Sequence, residues 1–193
     1  MYSRNRIEAL SDAIFAIAMT LLVLELKVPG EIAPGHLWEA LRLDGEGWIA
    51  FIITFCIAAR YWMLQHNVFQ LTDKFSHQAV VITFAFLGLV TVLPFSSSLV
   101  GRHASEPIAF FLYCANQAAI GAALIAKVEY LRIREHIPKS AEMQHLRARL
   151  YALTGGMAIA AALAWLIPIR YAWIAPVLAV RVGSKLLFRK PSA

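Results

Sequence analysis

The feature that most constrains this chain is the segment from residue 6 to residue 26, RIEALSDAIFAIAMTLLVLEL. It is as long as a helix that crosses a membrane, which needs about 20 mostly apolar residues. Arg6, Glu8 and Asp12 nevertheless stand at its start. Because charge at the edge of a hydrocarbon core is costly, such residues usually hold partners or serve a pathway. The segment therefore predicts a spanning helix with an important polar cluster at its entrance.

The composition of the whole chain supports a membrane protein. Of its 193 residues, 60% are hydrophobic and 16% are charged, whereas a soluble domain is typically about 45–50% apolar and about 25% charged. The excess of apolar residues is too large for one soluble core. It suits a chain that also turns apolar surfaces toward lipid.

Six segments are apolar and of about the length that a membrane-spanning helix needs, so the expected fold class is an all-α integral membrane protein with six transmembrane helices. The sixth is the weakest, because Arg181 and Lys185 fall in its second half, although long basic side chains near a helix end can reach the interface. Pro94 is expected to kink the third, with the serines after it bonding the freed carbonyls. In one domain covering residues 1–193, the predicted spans are 7–26, 47–65, 76–101, 107–126, 150–169 and 171–188.

The distribution of basic residues predicts the topology. With the N-terminus in the cytoplasm, 14 of the 18 Lys and Arg residues fall on the cytoplasmic side and 4 outside, which is the bias of cytoplasmic loops. Both termini are therefore expected in the cytoplasm. The basic segment 127–149 predicts the main cytoplasmic loop, and a short interfacial helix is expected around residues 36–41 of the outside linker. The sequence shows no basic face interleaved with aromatic residues, so nucleic-acid binding is not expected.

The remaining chemistry of the sequence argues against an enzyme. It shows no nucleophile–base set, no metal-ligand spacing and no phosphate-binding loop, so no catalytic site, metal site or cofactor is expected. Cys56 and Cys114 lie within apolar segments, where they are interpreted as small apolar residues.

The first helix carries two kinds of face. At about 100° per residue, Leu10, Ala13, Ile17, Thr20 and Leu24 form one seam that is apolar except for the Thr20 hydroxyl. Ordinary helix packing or lipid contact explains such a seam from periodicity alone. The sharper hypothesis is an ion pathway, with Ile17, Thr20 and Leu24 as constrictions.

Ser11 and Asp12 point away from that seam, whereas Arg6 returns near it at the cytoplasmic end. Buried polar groups are mostly hydrogen-bonded. The pair is therefore interpreted as part of a polar network that fixes the position of the helix.

The sequence Arg6-x-x-x-Leu10-Ser11-Asp12 and the apolar run after it resemble the signature of the prokaryotic transmembrane protein 175 family, homologues of the endolysosomal potassium channel. The family motif is Arg-x-x-x-Phe-Ser-Asp on the first helix, and Leu10 replaces the Phe here. Because Leu fills part of the same apolar volume, packing is expected to shift rather than fail.

The resemblance implies a homotetramer in a prokaryotic inner membrane, with the first helices lining a central pore that prefers potassium ions. Layers of apolar side chains and a hydroxyl then select the ion. Carried over by position, these layers are Ile17, Thr20 and Leu24, with Ile17 nearest the cytoplasm. The resemblance also implies a structural polar network at the inner end of the first helix, whose members are Arg6, Ser11, Asp12, Trp62 and His66. For His66, a solvated interface histidine is the alternative.

Other functions stay open at this stage. A secondary transporter usually shows repeats and ionisable residues at mid-membrane, and the nearly uncharged middles of these spans disfavour one. A non-conducting membrane scaffold is a second alternative. Within the channel hypothesis, protons and other monovalent cations are alternative permeant ions.

Overall fold

The computed structural model describes residues 2–27, 34–43, 45–134 and 141–166. Almost all of them are helical, as the sequence predicts. Two short strands, β1 (Tyr2–Ser3) and β2 (Lys74–Phe75), pair antiparallel. The helices are α1 (Arg4–Leu21), extended by a 3-10 turn (Leu22–Glu25), α2 (Leu37–Leu43), α3 (Gly45–Phe69), α4 (His77–Thr91), α5 (Leu93–Arg102), α6 (Pro107–Arg134) and α7 (Ala141–Ala162).

Within the described residues, four helical stretches are long and apolar enough to cross a membrane: Arg4–Glu25, Gly45–Phe69, His77–Arg102 and Pro107–Arg134. They coincide with the first four predicted spans. The fifth, predicted at 150–169, falls largely on α7, which begins earlier, at Ala141. The sixth, at 171–188, lies outside the described residues, so the number of six spans stays a prediction. The short helix expected around residues 36–41 is present as α2.

The loop expected at residues 127–149 is wrong for most of that range, because α6 continues to Arg134 and α7 begins at Ala141. With 28 residues, α6 is about 42 Å long and exceeds the hydrocarbon core of about 30 Å. The basic end of α6 can stay helical because its charged side chains have partners on other turns and helices. Lys127 is buried with its Nζ 4.1 Å from the centroid of the Phe69 ring, and Glu129 accepts hydrogen bonds from Arg132 and Arg147.

The third span is broken where the sequence predicts a kink. α4 ends at Thr91 and α5 begins at Leu93, because Pro94 has no N–H to donate to the preceding turn. Side chains donate hydrogen bonds to two backbone carbonyls next to the break. Ser96 Oγ donates to the Leu93 carbonyl at 3.1 Å, and Asn116 Nδ2 on α6 donates to the Leu89 carbonyl at 3.2 Å.

The core lies between α3, α4, α6 and α7, and α6 packs against α4, α5 and α7. α6 and α7 approach closely at Gly121, where an added Cβ would collide with the Thr154 hydroxyl. α1 packs at the edge of this core, against α3 and α4. As a result, one side of α1 belongs to the core and the other side is exposed.

Candidate functional site: the first helix

α1 is the least buried of the four candidate spans. In its most apolar stretch 28% of the residues are buried, against 50% for the span that α4 and α5 form. The buried residues recur every three or four positions and so form one stripe that faces α3 and α4. This stripe comprises Ile7, Ser11, Phe15, Ala18 and Leu22.

The opposite face of α1 is the apolar seam of the sequence analysis, and it is exposed along its whole length. Ile17 is 59% exposed and Leu24 is 67% exposed. Thr20 lies between them, with its Oγ1 donating to the Ile17 carbonyl at 2.8 Å. Since the hydroxyl proton is engaged by the backbone, the lone pairs of this oxygen are available to a cation. The structure therefore brings the three predicted constriction residues onto one exposed face.

Two polar contacts join the inner half of α1 to α3. Trp62 Nε1 donates to Asp12 Oδ1 at 2.8 Å, and His66 Nδ1 lies 3.0 Å from Glu8 Oε1. The rings of Trp62 and His66 stack with their centroids 5.9 Å apart. Glu8 and Asp12 are four residues apart on α1, and Trp62 and His66 are four residues apart on α3, which runs in the opposite direction. The contacts Asp12–Trp62 and Glu8–His66 are therefore successive along the two helices, and we call them the two rungs of a ladder.

A further set of contacts anchors the start of α1. Arg4 Nε bonds Glu8 Oε2 at 3.1 Å, and Arg4 Nη1 lies 3.6 Å from Asp73 Oδ1. The Arg4 backbone N–H also donates to the Asp73 carbonyl at 3.0 Å, next to the pairing of β1 with β2. Glu8 thus links the ladder to the connection between α3 and α4.

The five residues of the predicted polar network are not all brought together. Asp12, Trp62 and His66 meet at the ladder, although His66 contacts Glu8 rather than Asp12 or Ser11. Ser11 is buried, and among the described residues its Oγ has no hydrogen-bond partner. Arg6 is exposed and, with Leu10, lines a groove of about 350 Å³ between α1 and α4.

Sequence reasoning missed Arg4 and Glu8 as partners in this cluster. The available signal was spacing: Glu8 and Asp12 are four residues apart, as are Trp62 and His66. On two helices of opposite direction, equal spacings allow two contacts at once. The family motif does not include Glu8, which lies between the Arg and the Ser of that motif.

The outer end of α1 is held differently. Arg102, the last residue of α5, places Nη2 2.7 Å from Glu25 Oε2 in the 3-10 turn. No group of three His, Cys, Asp or Glu side chains suited to a metal ion occurs in the described part of the chain. The arrangement of α1 therefore offers an apolar surface with one hydroxyl, held by polar contacts at both ends.

Known proteins share parts of this arrangement. The sequence model described as endosomal/lysosomal potassium channel TMEM175 matches residues 6–94, which include the whole ladder. A potassium channel of Streptomyces collinus is 31% identical over 106 residues, covering 55% of this chain and 52% of the relative. A potassium channel of Chamaesiphon minutus is 36% identical over 105 residues, covering 53% and 52%. The chain thus spans about half the length of these relatives in sequence.

The match to a solved structure covers more of the fold. The crystal structure described as a lysosomal potassium-selective channel TMEM175 homolog from Chamaesiphon minutus has a TM-score of 0.81 and 25% sequence identity, over 98% of each chain. A human relative, named as the endosomal/lysosomal proton channel TMEM175, is 27% identical over 119 residues, which are 61% of this chain and 23% of that protein. All of these relatives are named as channels and none as an enzyme. The family motif, the sequence match over residues 6–94 and the shared fold agree in one respect: this chain is similar to the TMEM175 family of channels.

Proposed function

We propose that this protein is a potassium-preferring cation channel, and that four copies surround a central pore lined by the exposed face of α1. The observation that carries this proposal is the contrast within α1. One face packs against α3 and α4, whereas the other, equally apolar face is exposed in the single chain. An exposed apolar stripe of this length on a membrane helix meets either lipid or further copies of the chain, and the Thr20 hydroxyl within it favours a pathway.

The proposed filter follows from the side chains at three successive levels. Four copies of Ile17 and four of Leu24 form narrow, dry rings, and hydrophobic constrictions of this kind can gate a channel by dewetting. The ring of Thr20 lies between them and offers four oxygen atoms in place of part of the hydration shell. Because potassium holds its water less tightly than sodium does, a partly dehydrating ring favours potassium.

The ladder between α1 and α3 has a supporting role in this mechanism. Its two rungs fix the rotation of α1 about its own axis, because each rung joins a side chain of α1 to one of α3. A rotation of α1 by one residue would turn Ile17 away by about 100°. The ladder therefore keeps the three constriction residues directed at the axis.

The wider architecture in the proposal is a six-helix subunit in the inner membrane, with both termini in the cytoplasm. It is supported by the predicted positive-inside distribution of Lys and Arg residues and by the fold shared with the Chamaesiphon minutus channel over 98% of the chain. In this topology the ladder lies near the cytoplasmic end of α1 and Leu24 near the outside.

Proton conduction is the second candidate, since the vertebrate relatives are named proton channels. The two candidates share one pore and differ in the ion. A transporter or a non-conducting scaffold is less well supported, because the relatives matched in sequence are named as channels.

The deciding experiment uses purified protein in liposomes loaded with potassium, with potassium, sodium and proton flux measured separately. We expect a potassium flux larger than the sodium flux and a particle mass of four chains. Proton flux without potassium flux would move the assignment to the second candidate. A stable tetramer without any flux would contradict both.

A further inference from the structure

The outer end of α1 lacks the regular backbone hydrogen bonds of an α-helix. Residues Leu22–Glu25 form a 3-10 turn, and Leu26 then leaves the helix with φ −74° and ψ 107°. Hydrogen-bond geometry in a 3-10 turn is poorer than in an α-helix. The position of Leu24 within this turn therefore depends on contacts with the rest of the fold.

Of the four residues in the turn, only Leu22 is buried, so packing holds the turn at its start and less firmly at Leu24 and Glu25. A small cavity of about 40 Å³ lies between the turn, α3 and α5, and its lining includes Leu22, Glu25, Phe51, Ser97 and Arg102. The contact that crosses this region is the ion pair of Glu25 and Arg102, whose side chains are 34% and 42% exposed. A charge-assisted bond of 2.7 Å is short and directional, so it defines a distance between the turn and α5.

α5 is itself firmly placed, which makes Arg102 a fixed reference point. Thr54 Oγ1 on α3 lies 3.0 Å from Ser97 Oγ and 3.1 Å from Tyr113 Oη, all buried. Next to Arg102, the backbones of α5 and α3 approach so closely that a Cβ on Gly101 would lie 3.3 Å from Gly47 Cα. Movement of α5 relative to α3 would break both contacts.

We propose that Glu25 and Arg102 are positioning residues for the outermost constriction of the pore, Leu24. The inference rests on the proposed function, because it takes the exposed face of α1 to line the ion path. The ion pair holds the 3-10 turn against the fixed α5, and so sets how far the four Leu24 side chains approach one another. The inner constriction at Ile17 lies two turns deeper in regular helix and is held by the ladder instead.

The test measures disulfide formation between copies of the full-length protein in membranes, which requires no ion flux. In a background carrying Cys56→Ala and Cys114→Ala, a cysteine is introduced as Leu24→Cys or, as the matched control, as Ile17→Cys. Each is combined with Arg102→Gln, with Glu25→Gln, and with the charge-swapped pair Glu25→Arg and Arg102→Glu. The rate of cross-linking under a mild oxidant is compared across the set.

We expect each single neutralisation to change the cross-linking rate at position 24 by about threefold, the order that loss of one partly exposed ion pair implies. The charge-swapped pair should restore the rate, and cross-linking at position 17 should not change. Potassium-over-sodium preference in liposomes should fall with the single variants and recover with the swap. A merely structural role would lower the amount of folded protein without such position-dependent rescue.

Two failures are distinguishable. If neither cysteine forms cross-links in the otherwise unaltered background, α1 does not surround a common axis and the proposed function fails together with this inference. If position 24 cross-links but at the same rate with and without Arg102→Gln and Glu25→Gln, the pore stands and the positioning role of the ion pair is overturned.

Discussion

The two long faces of α1 are alike in composition and different in surroundings. Phe15 and Leu22 on one face are almost completely buried within the subunit, whereas Ile17 and Leu24 on the other are more than half exposed. Apolar character therefore shows that α1 lies in a membrane, but it does not show which face meets protein, lipid or a pore. Polar side chains distinguish the faces, because Asp12 bonds Trp62 on α3, whereas the Thr20 hydroxyl lies on the exposed face.

The largest effect is expected from the buried face. Phe15→Ala removes a ring that contacts Phe86 with a centroid distance of 5.9 Å, and truncation of a buried Phe typically costs about 3–5 kcal/mol. Thermal unfolding in detergent measures the loss. Ile17→Ala is the matched change on the exposed face and should leave subunit unfolding nearly unaltered. Equal losses for the two variants would remove the contrast between the faces.

A smaller loss of stability is expected when the ladder between α1 and α3 is broken. Trp62→Phe keeps the aromatic ring and removes the indole N–H that donates to Asp12. Because Asp12 is exposed, the carboxylate can be hydrated, and losing this one hydrogen bond should destabilise the subunit by about 0.5–1.5 kcal/mol. Trp48→Phe, an exposed position nearer the start of the same helix, serves as the control. Thermal unfolding in detergent compares the two, and a Trp62→Phe variant as stable as the parent would contradict the role of the ladder.

Ion flux separates the exposed face from lipid-facing positions. Ile17→Asn would place an amide in the proposed inner apolar ring and so lower its dewetting barrier, and we expect potassium flux in liposomes to rise or ion preference to loosen. Ile159→Asn on α7 is the closest match, because Ile159 is 61% exposed. Flux through the Ile159 variant should stay at the level of the parent. Unchanged flux with Ile17→Asn would place the constriction elsewhere.

The smallest expected effect concerns selectivity. Thr20→Val preserves shape and would remove the proposed hydroxyl ring, so the expected preference for potassium over sodium should fall by a factor of about three, which is roughly half the free energy of a tenfold change. Thr91 is the matched control, since its Oγ1 also donates to a backbone carbonyl three residues earlier. Reversal potentials in a potassium–sodium gradient measure the change. A shift of the same size with Thr91→Val would show that it does not originate in the pore.

The sequence anticipated those parts of the molecule that depend on local pattern. The helical character of the first four spans and the grouping of Ile17, Thr20 and Leu24 on one face of α1 follow from hydrophobic periodicity, and the break at Pro94 follows from the chemistry of proline. The contact of Asp12 with Trp62 was expected from the family resemblance. Each of these features depends on one continuous stretch of residues or on a known family pattern, so it can be predicted without the positions of the other helices.

The features that were missed depend on tertiary neighbours. The rung between Glu8 and His66 requires the register of α1 against α3. The extension of α6 through Lys127 requires the aromatic rings of Phe69 and Phe75, which bury its ammonium group. The basic residues, together with Pro138, suggested a loop there. The sequence does not show which side chains from other helices will surround a basic residue.

Block of ion flux by a thiol reagent at single introduced cysteines tests whether the exposed face of α1 lines an ion path. In the background without Cys56 and Cys114, the positions are Ile17, Thr20 and Leu24, with Ala18 on the buried face and Thr91 on α4 as controls. If the exposed face of α1 lines the ion path, a water-soluble reagent will reduce potassium flux at the first three positions and leave the controls unaffected. Flux that is insensitive at all three positions, or equally sensitive at Thr91, would contradict the account.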